Sequence, residues 1–255
     1  MIIFVAPAYD YCKNDYKKGR MYVNIIIFSK KRIIGYLVAI ILILIGLFIL
    51  DSLVDKTMPT VNPIYIGDTK EKAAALMFNV DWGNEIIPEI LEILDNKEVK
   101  ATFFISGKFA NKFPDLTKEI AQDGHEIGNH GYYHPHPNKI SLERNMKEII
   151  DTEKEFSDLN ISISKIFAPP YGEHEKVVLQ AADKLGYKTI MWTLDTIDWK
   201  DPLPGTILKR ILSKVDNGSM ILMHPKECTL QALPSLIDSM KNDDFSFRTV
   251  TEIIK

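Results

Sequence analysis

Four of the six histidines in the chain fall between residues 125 and 136, in "HEIGNHGYYHPHP". His130 and His134 stand four residues apart. On a helical turn that spacing puts two imidazoles on one face, the way paired histidines hold Zn²⁺ or a similar divalent ion. The stretch is not HExxH, since no glutamate follows His130, and a zincin-type site is excluded. By itself an HxxxH pair is as often a surface or capping pair as a metal pair. A metal hydrolase also needs a third donor, an open position for water, a base for that water and an acid for the leaving group. Residues of the right type stand just after apolar runs: Asn79, Asp81 and Glu85 after "ALMF", Asp195 and Asp198 in and after "KTIMWTL", and His224 after "SMILM". Each also has a structural reading. Asp81 can cap the helix that follows it, Asp195 and Asp198 can be turn residues, and His224 can be a satisfied core histidine. Polar residues at these four positions, Asp81, Asp195, Asp198 and His224, in one apolar domain are harder to explain by stability.

Those positions need a frame. From Ala73 onward short apolar runs alternate with amphipathic segments. "AAALMFNV" is followed by "EIIPEILEILDNKE", in which Ile86, Ile87, Ile90, Leu91 and Leu94 recur at helical spacing. "KATFFIS", "HEIGN", "KIFAPP", "YKTIMWTLD", "SMILMH" and "FRTV" are the further runs, and the helices between them open near Ser141 or stop at Gly124 and Gly186. About seven βα steps over roughly 185 residues predict parallel strands with helices outside. A (β/α) barrel and a doubly wound sheet both satisfy the pattern. In either, side chains just after the strand C-terminal ends gather on one face.

Upstream of this domain, residues 33–50, "IIGYLVAIILILIGLFIL", carry no charge. At ~1.5 Å per residue they make a helix of about 27 Å, close to the ~30 Å hydrocarbon core of a bilayer. Lys30, Lys31 and Arg32 precede the run, and Asp51 and Asp55 follow it. The positive-inside rule then predicts a single-pass cell-membrane protein, with residues 1–32 cytoplasmic and the C-terminal domain outside. The run is long for a cleaved signal peptide, and no small-x-small site follows closely. Residues 51–70, with Pro59, Asn62, Pro63 and Gly67, read as a linker, and residues 71–255 as the folded domain. Met21 opens a second candidate start. Cys12 and Cys228 are too few for a disulfide framework and are expected on opposite sides of the membrane. A hydrophobic content of 46% with 25% charged residues excludes disorder, and a net charge of −3 without a basic stripe gives no nucleic-acid footprint.

Residues 71–255 resemble the polysaccharide deacetylase domain (NodB homology, carbohydrate esterase family 4). Five motifs in order carry the likeness: "FNVDWG", "HGYYH", "APPYG", "DTIDW" and "ILMH". It is nearest to a sporulation-associated bacterial subgroup with "FNVxWGNE" in the first motif. The resemblance implies a distorted (β/α) barrel and a divalent metal, Zn with Co or Mn as alternatives. It also implies removal of acetyl groups from cell-wall amino-sugar glycans, peptidoglycan or chitin-like. Carried over residue by residue, it implies metal ligation by His130 and His134, a general acid at His224 oriented by Asp198, a pocket shaped by Tyr171, and an aromatic wall at Trp199.

The first and third motifs depart from the family pattern. The family has F-D-D-G, a base followed by a third metal ligand. Anchored on Phe78, this sequence puts Asn79 at the base position and Val80 at the ligand position, and Ala168 stands where an arginine usually pairs with the base. An amide cannot take a proton from water near pH 7, and valine cannot ligate. An arginine facing a neutral amide would be an unpaired buried charge, so the missing base and the missing arginine go together. Anchored on Gly83 instead, the motif offers Asp81 as a stand-in ligand or base. Glu85 and Glu173 are further stand-ins, and His136 and His174 candidate extra ligands. One expectation is therefore a membrane-anchored, metal-dependent de-N-acetylase. Another is a catalytically silent glycan-binding or wall-assembly protein that stacks sugar rings on Trp199, Tyr171 and Tyr132. A third is an acyl hydrolase with a site rearranged around Asp81.

Overall fold

The computed structural model describes residues 3–6, 24–27, 30–57 and 62–254. Cys12 and the alternative start at Met21 lie outside these residues. The chain divides into two compact units, Met1–Thr60 and Val61–Lys255. In the first, β1 (Ile3–Ala6) pairs antiparallel with β2 (Asn24–Ile27), and α1 runs from Lys30 to Thr57. Within α1, the window Lys31–Ile49 has a mean hydropathy of 2.7 and is not buried in the structure. The helix runs on beyond the uncharged stretch because no proline or glycine stands between Gly46 and Pro59 to stop it, so the first part of the expected linker is helical.

The second unit is a curled, mostly parallel sheet wrapped by helices. Its elements are β3 (Ala73–Val80), α2 (Ile87–Asn96), β4 (Thr102–Ile105), α3 (Gly107–Lys112), α4 (Pro114–Gln122), β5 (Glu126–Asn129), α5 (Leu142–Asp158) and β6 (Ile166–Phe167). There follow α6 (Lys176–Lys184), β7 (Lys188–Thr189), β8 (Leu194–Asp195), α7 (Pro204–Leu212), β9 (Ser219–Met223), α8 (Glu227–Asn242), β10 (Ser246–Phe247) and α9 (Val250–Ile253). The strand order is β7-β6-β5-β4-β3-β9-β8, with β10 beside the start of β3. This is the distorted barrel expected from the sequence rather than a doubly wound sheet. The run "YKTIMWTLD" does not form one strand. It splits into β7 and β8, at the two edges of the sheet.

The seam between those edges is crossed by the chain at Ile64–Ile66. Ile64 bridges to Ile190, Ile66 bridges to Ser219, and Thr193 Oγ1 donates to the Tyr65 carbonyl. The segment read as linker therefore contributes to the barrel wall.

Central strand β3 sets the logic of the site. Side chains alternate across a strand. Ala74, Leu76, Phe78 and Val80 pack in the cluster shared with α2 and α8, while Ala73, Ala75 and Met77 pack in a second cluster with Phe104, Ala168 and Ile190. Continuing the second series places Asn79 and Asp81 on the side of the cavity described below, and Val80 on the opposite, helix-covered side.

Candidate functional site

At the C-terminal ends of the strands lies a cavity of about 440 Å³, bordered by Asn79, Asp81, His130, His134, Trp199 and His224 among others. Tyr171 lines it as well.

His130 follows β5. Its Nδ1 donates to the Ala168 carbonyl at 2.7 Å, which leaves Nε2 as the uncommitted nitrogen. Complete burial holds its pKa well below the ordinary histidine value, and the neighbouring His134 pushes the same way against the Ala168 carbonyl. The imidazole is accordingly neutral at pH 7. His134 is reached through a loop rather than a helical turn. Gly131 (φ 75°) and His134 (φ 56°) both take left-handed backbone, which helix cannot accommodate. That loop is braced from α5, where buried Glu148 accepts the backbone N–H of Tyr132 at 2.9 Å and of Tyr133 at 2.7 Å. The two imidazoles still meet, with centroids 4.9 Å apart. Burial also lowers the pKa of His134, and the charge of Asp81 opposes that shift.

His224 follows β9 and faces a built partner. Its Nδ1 donates to Asp198 Oδ1 at 2.7 Å, its backbone N–H to Oδ2 at 2.6 Å, and Thr229 Oγ1 adds a third bond to Oδ2 at 2.7 Å. Asp198 is fully buried. Burial raises its pKa, but the bonds from His224 and Thr229 outweigh that and hold it below the ordinary range. The turn that aims this carboxylate is strained: Ile197, β-branched, sits at φ 55°. A carboxylate fixing one ring nitrogen leaves the other to exchange a proton, as a general acid requires.

The base side is different. Asn79 is 6% exposed, and its Oδ1 has no hydrogen-bond partner among the described residues. Val80, taken from the motif as a substituted ligand, is buried among helix-facing apolar groups, so its position is not one that a ligand could occupy here. Asp81 is the residue that β3 turns toward the cavity. Its carboxylate accepts from Ser106 Oγ at 2.7 Å and pairs with Lys108 Nζ at 3.0 Å.

The remaining expectations fall outside the cavity. His136 stacks face to face on Tyr171, with centroids 4.0 Å apart and planes 14° from parallel, and pairs with Glu173 at 2.8 Å. His174 bridges the Gly172 carbonyl (2.6 Å) and the Tyr65 hydroxyl (2.7 Å). Both brace the Tyr171 turn rather than reach inward, and Glu85 is exposed. Tyr132 lies over Gly107 and bonds Glu155, and it is not among the residues that line the cavity, away from the sugar-stacking role expected of it. Two aromatics that line the cavity, Trp82 and Trp192, escaped the motif reading, as did Ser106 and Lys108. Trp82 had a visible signal, since it lies inside the first motif. Trp192 was hidden in an apolar run.

A three-ligand metal centre with an open water position is the group the family resemblance implies. The donor set does not complete it. His130 and His134 are paired, but among the described residues no group of three or more His, Cys, Asp and Glu is gathered to hold an ion.

A polysaccharide deacetylase family model matches residues 66–190. A peptidoglycan-N-acetylglucosamine deacetylase of Bacillus cereus is 34% identical over 196 residues, which is 75% of this chain and 71% of that protein. The chain belongs to the polysaccharide deacetylase family. Within it, the uncharacterized protein YlxY of Bacillus subtilis is 43% identical over 194 residues, 76% of this chain and 60% of YlxY, so the chain spans less than two thirds of that relative. Among solved structures, wild-type BA3943 of Bacillus anthracis, a CE4 family pseudoenzyme, has a TM-score of 0.74 at 37% identity, covering 77% of this chain and 70% of its own. A BA3943 mutant with restored enzymatic activity gives the same TM-score at 35% identity, covering 77% of this chain and 72% of its own. The family frame thus includes both peptidoglycan deacetylases and a pseudoenzyme.

Proposed function

We propose that this protein is a membrane-tethered binder of acetylated cell-wall amino-sugar glycan, built on the deacetylase barrel and silent in hydrolysis. The observation that carries this reading is Asn79: the inward position at the end of the central strand holds a buried amide whose Oδ1 has no partner among the described residues, and an amide cannot take a proton from water. The incomplete metal donor set agrees with it, and so does the likeness to a pseudoenzyme. The glycan class follows the peptidoglycan deacetylases among the relatives. Tethering follows the 19-residue apolar window of α1, with the barrel outside the membrane and residues 1–32 inside. His130, His134, Tyr171 and Trp199 serve in this reading as cavity walls, and the His224–Asp198 pair as a retained hydrogen-bonding group for the sugar.

One observation favours a second reading, a hydrolase rearranged around Asp81: that carboxylate lines the same cavity as both histidines and His224. The full chain in detergent micelles, supplied with Zn²⁺ or Co²⁺, separates the two. Acetate released from acetylated chitooligosaccharides and peptidoglycan fragments should not exceed the His224→Ala background, while Asn79→Asp should gain turnover. A general base is worth roughly 10²–10⁴ in rate. Wild-type release abolished by both His224→Ala and Asp81→Ala would overturn the silent reading in favour of the second.

A further inference from the structure

We infer that Trp82 is a sugar-stacking subsite, which takes one pyranose ring of an acetylated amino-sugar oligosaccharide on the His224 side of the cavity. The inference rests on the glycan-binding reading above and adds a residue that the family motifs do not assign. Trp82 follows the inward-facing Asp81 and remains 44% exposed. So large an apolar side chain left half bare at the mouth of a cavity marks a binding surface more than a packing residue.

Its orientation is fixed in three ways. The indole lies within 10° of parallel to the His224 ring, with centroids 6.1 Å apart. Lys226 Nζ sits 5.7 Å from the indole centroid, and the same ammonium pairs with Asp201. Gly83, at φ 91°, packs so closely on Pro225 that an added Cβ would lie 2.4 Å from the Pro225 ring. The first-motif loop is thereby locked against the loop that carries His224.

Lys226 also links this aromatic to the turn that carries Trp199. Asp201 closes the turn that begins at Asp198 and carries Trp199, a second half-exposed indole with Lys200 Nζ 4.7 Å from its centroid. Two half-exposed indoles therefore line one concave site together with His224 and Asp195. A pyranose matches both features, since its C–H face stacks on indole while its hydroxyl and acetamido edge meets the polar groups. A purely apolar ligand would leave those polar groups unpaired.

The test uses full-length protein in micelles and titration calorimetry with tetra-N-acetylchitotetraose and with a peptidoglycan-derived tetrasaccharide. Trp82→Ala should weaken binding about tenfold, within the range of an aromatic stacking contact, whereas Trp82→Phe should stay within about threefold of wild type. The ring protons of one pyranose should shift upfield on binding to wild type and Trp82→Phe and lose that shift in Trp82→Ala, while any shift that Trp199 causes on another ring persists, an effect that loop packing alone would not produce. Should Trp82→Ala fail to fold, Trp82→Gln takes its place with the same expectation. Wild-type binding with unchanged affinity and unchanged upfield shifts in the non-aromatic variant overturns the subsite and spares the glycan reading. No wild-type binding to either saccharide overturns both.

Discussion

His125 gives the barrel a calculable sensitivity to acid. It is 6% exposed, and its Nδ1 accepts the backbone N–H of Ala101 at 3.2 Å, a bond that exists only while that nitrogen is unprotonated. Burial, helped by Lys100 and opposed by Asp95, lowers its pKa from 6.5 to about 4. Between those values the unfolded chain binds a proton that the folded chain refuses, so stability rises with pH through this window and is lost as pH falls from 6.5 toward 4. Going from pH 7 to pH 5, this one group removes about 2 kcal/mol, and below both values the loss approaches about 3 kcal/mol. The assay is urea unfolding of the full chain in micelles, followed by tryptophan emission. All three tryptophans, Trp82, Trp192 and Trp199, lie in the barrel, so the signal reports that unit alone. His125→Gln keeps an acceptor for Ala101 and does not titrate. Its unfolding free energy should fall between pH 7 and 5 by about 2 kcal/mol less than that of wild type. Equal losses in the two proteins would refute the reasoning, because they would mean that His125 is protonated alike in both states.

Two further perturbations probe the site through the same unfolding assay. Asp198→Asn replaces a buried acceptor of three hydrogen bonds with a group that must turn N–H toward a donor, and should cost roughly 3 kcal/mol at pH 7. Since the pKa of Asp198 is held below 3.8 in the folded state, its stabilisation is present above that value and lost as pH falls through the lower folded value, so the variant should be less pH-sensitive below about pH 4. Gly83→Ala meets both a positive φ and the Pro225 ring, and should cost roughly 2 kcal/mol or more, with weaker glycan binding because Trp82 moves. A variant as stable as wild type would show that the loop relaxes without loss.

The barrel was legible because apolar runs and helical periodicity largely alternate from Ala73 onward, and because most site residues stand at or just after strand ends, where topology leaves little choice of direction. The HxxxH pair shows what spacing does not carry. His130 and His134 meet, but through two left-handed residues in a loop braced by Glu148, and a helical turn with the same spacing would look identical in sequence. The seam strand at Ile64–Ile66 was hidden for a different reason. A segment that contributes only isolated bridges has no periodicity to detect, and the proline and glycine beside it read as linker.

The first motif shows how one structural rule changes the meaning of a substitution. Read by alignment, Asn79 and Val80 look like two lost catalytic groups. Because β3 continues through Val80, only every second residue can face the cavity, and position 80 is claimed by the packing of α2 and α8. The inward pair is Asn79 and Asp81. Two residues along a strand are about 6.6 Å, so a carboxylate has been retained while the point from which it acts has moved by more than the reach of a hydrogen bond. At its new position Asp81 is already engaged by Ser106 and Lys108, which tie it to the start of α3. The base position keeps only an amide oxygen without a partner. That oxygen can accept a hydrogen bond from an acetamido N–H or a sugar hydroxyl, which serves recognition, but it cannot draw a proton from water, which hydrolysis requires.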